Sequence, residues 1–159
     1  MRIVLTAVIL LMTCSAGAFA YDEIPTTGPI ADLYTKAKAG NADAQVQLAE
    51  AFRDGEDGVR KDMREALQWY HKAATQGDVE AQVAMGFVYR GGDGIQMNKV
   101  LSYMWFDIAF KNGNQAAYGM RNDVAWSMTE PEIDEARSKS KAWKPNQHND
   151  DGYVEDEDN

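Results

Sequence analysis

The chain has 159 residues, a formal net charge of −9 and a mean hydropathy of −0.49. A chain of this length with one continuous region of repeated sequence is expected to form a single domain. This excess of acidic residues argues against a nucleic-acid partner, because phosphate backbones are bound by stripes of clustered Lys and Arg side chains.

The first twenty residues have the organisation of a secretory signal peptide. Arg2 precedes an apolar run at residues 3–12, and Ala18-Phe19-Ala20 supplies a small-x-small cleavage site. We therefore expect cleavage after Ala20, a mature chain that begins at Tyr21, and a periplasmic or secreted location. After cleavage we expect no membrane span.

Two alternatives for this segment stay open. An uncleaved anchor would need about 20 apolar residues, and polar residues dilute this run. A lipid anchor on Cys14 would need a small residue before it, and Thr13 is a poor match. Cys14 is the only cysteine, so cleavage would remove any disulfide, thiol nucleophile or cysteine metal site.

Residues 21–29 predict an irregular arm, because they contain Pro25, Gly28 and Pro29. Residues 30–39 follow as a lead-in helix that covers the first repeat.

Two near-copies of one segment come next, at residues 40–76 and 77–112. The run Gly40-Asn41-Ala42-Asp43-Ala44-Gln45 aligns with Gly77-Asp78-Val79-Glu80-Ala81-Gln82 at an offset of 37 residues. Trp69 then aligns with Trp105 at an offset of 36. The second copy is therefore one residue shorter between these points. The difference falls in the glycine-rich loop, where length changes are tolerated.

Each copy predicts two amphipathic helices around that loop. Asp62 and Asn98 are expected to cap the second helices, and Gly77 and Gly113 to end them. One such pair cannot bury its own apolar face, so the units must stack. The sequence therefore predicts an all-α fold, an α/α superhelix forming a short solenoid, with both tryptophans of the repeats in the core.

A partial third copy, residues 113–144, closes the repeat domain that spans residues 30–144. Thr129-Glu130-Pro131-Glu132 predicts a capping box, followed by a terminal helix that ends before Pro145. Residues 145–159 carry six acidic residues and neither Lys nor Arg, which predicts a disordered acidic tail.

The repeated pattern resembles the Sel-one-like repeat family, a branch of the tetratricopeptide-like α/α repeats. It consists of Gly-Asn/Asp-x-x-Ala-Gln, an aromatic residue, Gly-x-Gly, Trp-Tyr/Phe and Ala-x-x-x-Gly, and the match covers residues 30–143. The third unit departs from it, because Arg121 stands where the copies have Leu48 and Met85, and no Gly-x-Gly turn follows.

No pattern of catalytic, metal-binding or cofactor-binding residues is found. His71 and His148 share no metal-ligand spacing, and the turn at residues 54–58 is like a calcium loop in composition only. We therefore expect no catalytic residue, no metal and no cofactor.

The resemblance implies that the first helix of each unit lines a concave groove. The groove-facing positions would be Asp43, Val46, Glu50 and Arg53 in the first copy, Glu80, Val83, Phe87 and Arg90 in the second, and Gly119, Asp123 and Trp126 in the third. Exposed Phe87 and Trp126 among charges would suit a protein or peptide ligand. Packing of both against neighbouring helices is the alternative.

The resemblance implies an exported interaction scaffold, or adaptor, that binds a protein or peptide partner in this groove. The alternative function is a hydrolase on the same fold that acts on cell-wall or β-lactam substrates.

Overall fold

The computed structural model describes residues 27–91 and 95–147, and within them the chain forms seven α-helices and no strand. The predicted all-α fold is confirmed. The helices are α1 Pro29–Lys38, α2 Ala42–Asp54, α3 Met63–Thr75, α4 Val79–Gly91, α5 Lys99–Lys111, α6 Ala117–Ala125 and α7 Glu130–Ala142. The signal segment, residues 21–26 of the arm and residues 148–159 of the tail lie outside the described residues.

Asparagine and aspartate side chains bind the first backbone N–H groups of α2 to α6. The side-chain oxygens of these residues accept hydrogen bonds from backbone N–H groups two or three residues on, at 2.7–3.1 Å; they are Asn41, Asp62, Asp78, Asn98 and Asn114. Gly77 and Gly113 follow the ends of α3 and α5 with φ of 101° and 110°, a conformation that glycine adopts without strain. The predicted caps at Asp62 and Asn98 are confirmed.

The glutamine of each Ala-Gln pair links successive helices. The Gln82 amide nitrogen donates to the carbonyl of Ala74 at 3.2 Å, and its oxygen accepts from Asn112 at 2.9 Å. Gln45 makes the equivalent pair of bonds to the end of α1 and to Gln76. Both glutamines are buried, so these bonds satisfy polar groups that water does not reach.

The helices pack in sequence, each on the next from α1 to α6, and α5 also packs on α7. Trp69 is 5% exposed and Trp105 is fully buried, which confirms both as core residues. The half-buried Trp143, just after α7, meets the ring of Trp105 edge-on at 5.9 Å. The terminal helix thereby seals the end of the stack.

The third unit departs from the repeat because it buries an ion pair instead of an aliphatic side chain. Arg121 contacts the buried carboxylate of Asp107 at 2.6 Å. Lys111 and Ser140 reach the second carboxylate oxygen at 2.7 and 2.6 Å. We call these four residues the Asp107 cluster; it ties α5, α6 and α7 together.

The chain after α7 turns back onto the third helix. Residues 145–147, predicted to belong to the disordered tail, are described as a turn, and the Asn146 N–H donates to the carbonyl of Thr75 at 2.7 Å. Over the described ranges, no helix combines the length and apolar character that crossing a bilayer requires.

Candidate partner-binding groove

A groove of about 490 Å³ lies between the end of α2, the start of α3 and the length of α4. Its floor is apolar and is formed by Met63, Val83, Ala84, Phe87 and Val88. Its polar lining residues are Arg53, Asp54, Lys61 and Glu80 at the rim and the buried Tyr70 behind them, with Gly91 at one end. This volume is within the range of pockets that hold small ligands, and it would accommodate a single large side chain with its backbone.

Arg53 is fixed at one side of the rim by three hydrogen bonds. Its Nε and one terminal nitrogen donate to the Asp54 carboxylate at 2.9 and 2.6 Å, and its other terminal nitrogen donates to the Tyr70 hydroxyl at 3.0 Å. The bond to Asp54 raises the pKa of Arg53, and the same bond lowers the pKa of Asp54. Burial raises the pKa of Tyr70 to about 12. At neutral pH this part of the lining therefore carries a charged guanidinium, a carboxylate and a neutral phenol.

Two glutamates on this face have no ion-pair partner. Among the residues that the structure describes, Glu80 and Glu50 are exposed and form no salt bridge or side-chain hydrogen bond. Glu50 lies close enough to Arg53 and Tyr70 to raise the pKa of each through its charge. Glu80 is thus an unpaired negative charge in the groove lining.

Phe87 presents an apolar surface in a fixed orientation. Its ring is 45% exposed, and it packs edge-on against Phe106 with ring centroids 5.2 Å apart. Phe106 is fully buried, and such aromatic pairs add about 0.5–1.5 kcal/mol beyond their buried area. The exposed face of Phe87 is therefore presented by a rigid support.

The structure brings four of the predicted groove residues together: Arg53, Glu80, Val83 and Phe87 line the groove. The remaining predicted residues lie outside its lining, and those exposed to solvent are Asp43, Glu50, Arg90, Gly119, Asp123 and Trp126. Trp126, at the end of α6, is 89% exposed, so it does not pack against a neighbouring helix.

Val46 is a correction to the predicted groove face. It is 8% exposed and belongs to the hydrophobic core. The reason is that α2 packs between α1 and α3, which buries seven of its residues.

The groove also contains residues that the sequence analysis missed. Met63 and Tyr70 come from α3, and Lys61 comes from the loop before it. The prediction considered only the first helix of each unit, although the Trp-Tyr/Phe element of the repeat pattern contains Tyr70. The first helices supply most of the groove, and the second helix of the first unit supplies one wall.

The lining has the chemistry of a binding site. Among the residues that the structure describes, no histidine, serine or cysteine lines the groove. His71 lies elsewhere, with its ring edge-on to Trp105 at 6.2 Å, and within the described ranges no group of three potential metal ligands converges. An apolar floor with a charged rim can hold a side chain and orient its neighbours.

A family model described as the Sel1 repeat matches residues 42–78 and 79–114. These two units agree to within two residues with the copies read from the sequence. Among solved structures, the chain is similar to a protective antigen of uropathogenic Escherichia coli strains with an SLR fold. That similarity has a TM-score of 0.67 and 33% identity, over 70% of this chain and 24% of that one.

A Sel1 repeat protein from Oxalobacter formigenes is also similar, with a TM-score of 0.53 and 34% identity over 56% of this chain and 36% of that one. Among curated proteins, chitin synthase regulatory factor 3 of Schizosaccharomyces pombe is 34% identical over 82 residues, 50% of this chain and 9% of the relative. The chitin synthase regulator SKT5 of Saccharomyces cerevisiae is 33% identical over 86 residues, 53% of this chain and 12% of the relative. The chain thus spans about a tenth of the length of these regulators.

Proposed function

Because this chain carries two Sel1 repeats on the helical-repeat fold of that family, we propose that it is an exported scaffold for a protein or peptide partner. The partner binds in the groove between α2, α3 and α4. The observation that carries this proposal is Phe87, which is 45% exposed on an apolar floor and held in place by a buried ring. Rigid aromatic anchors inside a polar rim are typical of the energetic centre of protein interfaces.

The relatives support a role in binding. Two of them are, by name, regulators of another protein, chitin synthase. Because the chain spans about a tenth of their length, the similarity supports the class of function and leaves the partner open. Export is supported by the signal-like first twenty residues and by the similarity to a protective antigen, since an antigen must be accessible to the immune system.

Asp54, one of the two carboxylates that line the groove, lacks the environment of a general acid. Carboxyl groups that act as general acids at neutral pH have raised pKa values. The hydrogen bond from Arg53 lowers the pKa of Asp54 instead.

The binding proposal is tested by affinity capture from envelope extracts with three matched variants. Phe87→Ala removes the anchor of the groove, and Trp126→Ala removes a second exposed aromatic residue from the predicted groove positions. Met97→Ala is the control, because Met97 is also a large exposed apolar residue, 60% exposed, and lies outside the groove lining. We expect one bound protein to be lost at least tenfold with Phe87→Ala and retained with Met97→Ala. Equal recovery with all three variants would overturn the proposal.

The export proposal is tested by the intact mass of the protein recovered from the envelope and the medium. We expect a mature chain that starts at Tyr21. A mass that corresponds to the chain from Met1 in those fractions would contradict cleavage. The absence of the protein from both fractions would contradict export.

A further inference from the structure

The cations that line the groove are already engaged within the chain. All three guanidinium nitrogens of Arg53 donate to Asp54 or Tyr70. Lys61, the other lining cation, also has an interaction within the protein. Arg90, the other basic residue among the predicted groove positions, is exposed and does not line the groove. Each cation in the described part of the lining therefore already has a partner within the chain.

The acidic side of the rim is open. Glu80 lines the groove, is exposed and has no partner among the described residues. Glu50 is a second exposed and unpaired carboxylate beside Arg53. The chain as a whole has a net charge of −9, and such a field increases the rate at which cationic ligands arrive.

The floor next to Glu80 is suited to one bulky apolar side chain. Val83 and Phe87 lie one and two turns along α4 from Glu80, on the same face, and all three line the groove. The volume of about 490 Å³ exceeds that of one aromatic side chain and leaves room for its backbone. An apolar contact and a free carboxylate are thus presented side by side.

On the basis of the proposed function, we propose that the groove recognises a basic peptide segment in which a bulky apolar residue is followed or preceded by Lys or Arg. The apolar side chain packs on Phe87 and Val83, and the basic side chain pairs with Glu80. The chain's own acidic stretch at residues 150–158 has the wrong charge for this site, because it carries six acids and no base. The occupant that we propose is a segment of another protein.

The test is a titration of the isotope-labelled protein with short peptides, followed by amide chemical shifts, which detect weak binding. The probes are acetyl-Gly-Ser-Phe-Lys-Ser-Gly-amide, the same peptide with Glu in place of Lys, and the same peptide with Ala in place of Phe. We expect the Phe-Lys peptide to shift the amides of Val83, Ala84 and Phe87. The Phe-Glu peptide should bind at least about twofold more weakly, and the Ala-Lys peptide at least about fivefold more weakly, which are the scales of one exposed ion pair and of a small apolar contact.

Two variants separate the charge from the apolar contact. Glu80→Gln should weaken the Phe-Lys peptide at least about twofold and leave the Phe-Glu peptide no weaker. Glu135→Gln, at an exposed acid on α7 far along the chain, is the control and should change neither. Phe87→Ala should weaken both Phe-containing peptides.

The outcomes distinguish this inference from the proposed function. Equal affinity for the Phe-Lys and Phe-Glu peptides, or an unchanged Phe-Lys affinity in Glu80→Gln, overturns the basic-segment inference. So does the absence of any shift at the groove. If the captured envelope partner still depends on Phe87 in those cases, the proposed function stands without it. If neither the partner nor the peptides depend on Phe87, both proposals fall.

Discussion

The ring of Phe106 lies directly against the α-carbon of Gly86. A β-carbon at Gly86 would sit 2.5 Å from Cε1 of that ring, closer than non-bonded carbons approach. The Gly86 carbonyl also accepts a hydrogen bond from the buried Ser102 hydroxyl at 2.8 Å. This close contact between α4 and α5 allows Phe106 to be buried and, through it, supports Phe87 at the groove.

The first prediction follows from this contact. Gly86→Ala should destabilise the protein by about 1–2 kcal/mol, because overpacking costs more than the gain in helix propensity. Gly119→Ala is the matched control: Gly119 is also helical, and no atom lies within 4 Å of its added β-carbon. It should be neutral or stabilising by about 0.5–1 kcal/mol. Urea unfolding of both variants measures the difference, and equal midpoints would contradict the packing described here.

The second prediction concerns the tryptophans. Trp69→Ala and Trp105→Ala should each cost about 3–5 kcal/mol, since both side chains are buried in the core. Trp126→Ala should change stability by less than about 0.5 kcal/mol, because its side chain is 89% exposed. Thermal melts of the two core variants that superimpose on that of Trp126→Ala would refute the core assignment.

The third prediction concerns the buried glutamine bridge. Gln82→Met keeps the length of the side chain but leaves the Ala74 carbonyl and the Asn112 amide without their bonds to it. The expected loss is about 1–3 kcal/mol in the free energy of unfolding. Gln47→Met is the control, because Gln47 is exposed on α2. A cycle with Asn112→Ala should show coupling, and strict additivity would argue against the bridge.

The repeat was predictable because its signals are local. The spacing of apolar residues and the caps at Asp62 and Asn98 are set within one or two helical turns. The burial of the repeat tryptophans followed, because amphipathic helix pairs must stack. These features could be predicted from the sequence, and the structure confirms them.

The groove was less predictable, because its walls depend on contacts between helices. Val46 follows the spacing of a groove residue, but the packing of α1 and α3 on α2 buries it. Tyr70 lies on the second helix of the unit and binds Arg53, which is 17 residues away in the sequence. Arg121 departs from the repeat pattern, and only the packing of α5 against α6 shows that Asp107 is its partner.

The last prediction concerns the Asp107 cluster and pH. Burial raises the pKa of Asp107, but hydrogen bonds from Lys111, Ser140 and Arg121 outweigh it and lower the pKa overall. The folded-state pKa therefore lies below the unfolded value of about 3.9. It follows that Asp107 stabilises the fold above that value, and the contribution disappears as pH falls through the folded pKa.

Asp107→Asn should thus lower the free energy of unfolding by about 3 kcal/mol near pH 7, because it leaves the largely buried guanidinium of Arg121 without a carboxylate partner. The gap between this variant and the wild type should shrink as the pH falls below about 4. Asp134→Asn is the control: its pair with Arg137, at 3.6 Å, is largely exposed and should contribute little at any pH. Urea unfolding of the three proteins from pH 7 down to about pH 2.5 spans that unfolded-state value. A gap for Asp107→Asn that stays constant over this range would show that the carboxylate charge does not hold α6 and α7 onto α5.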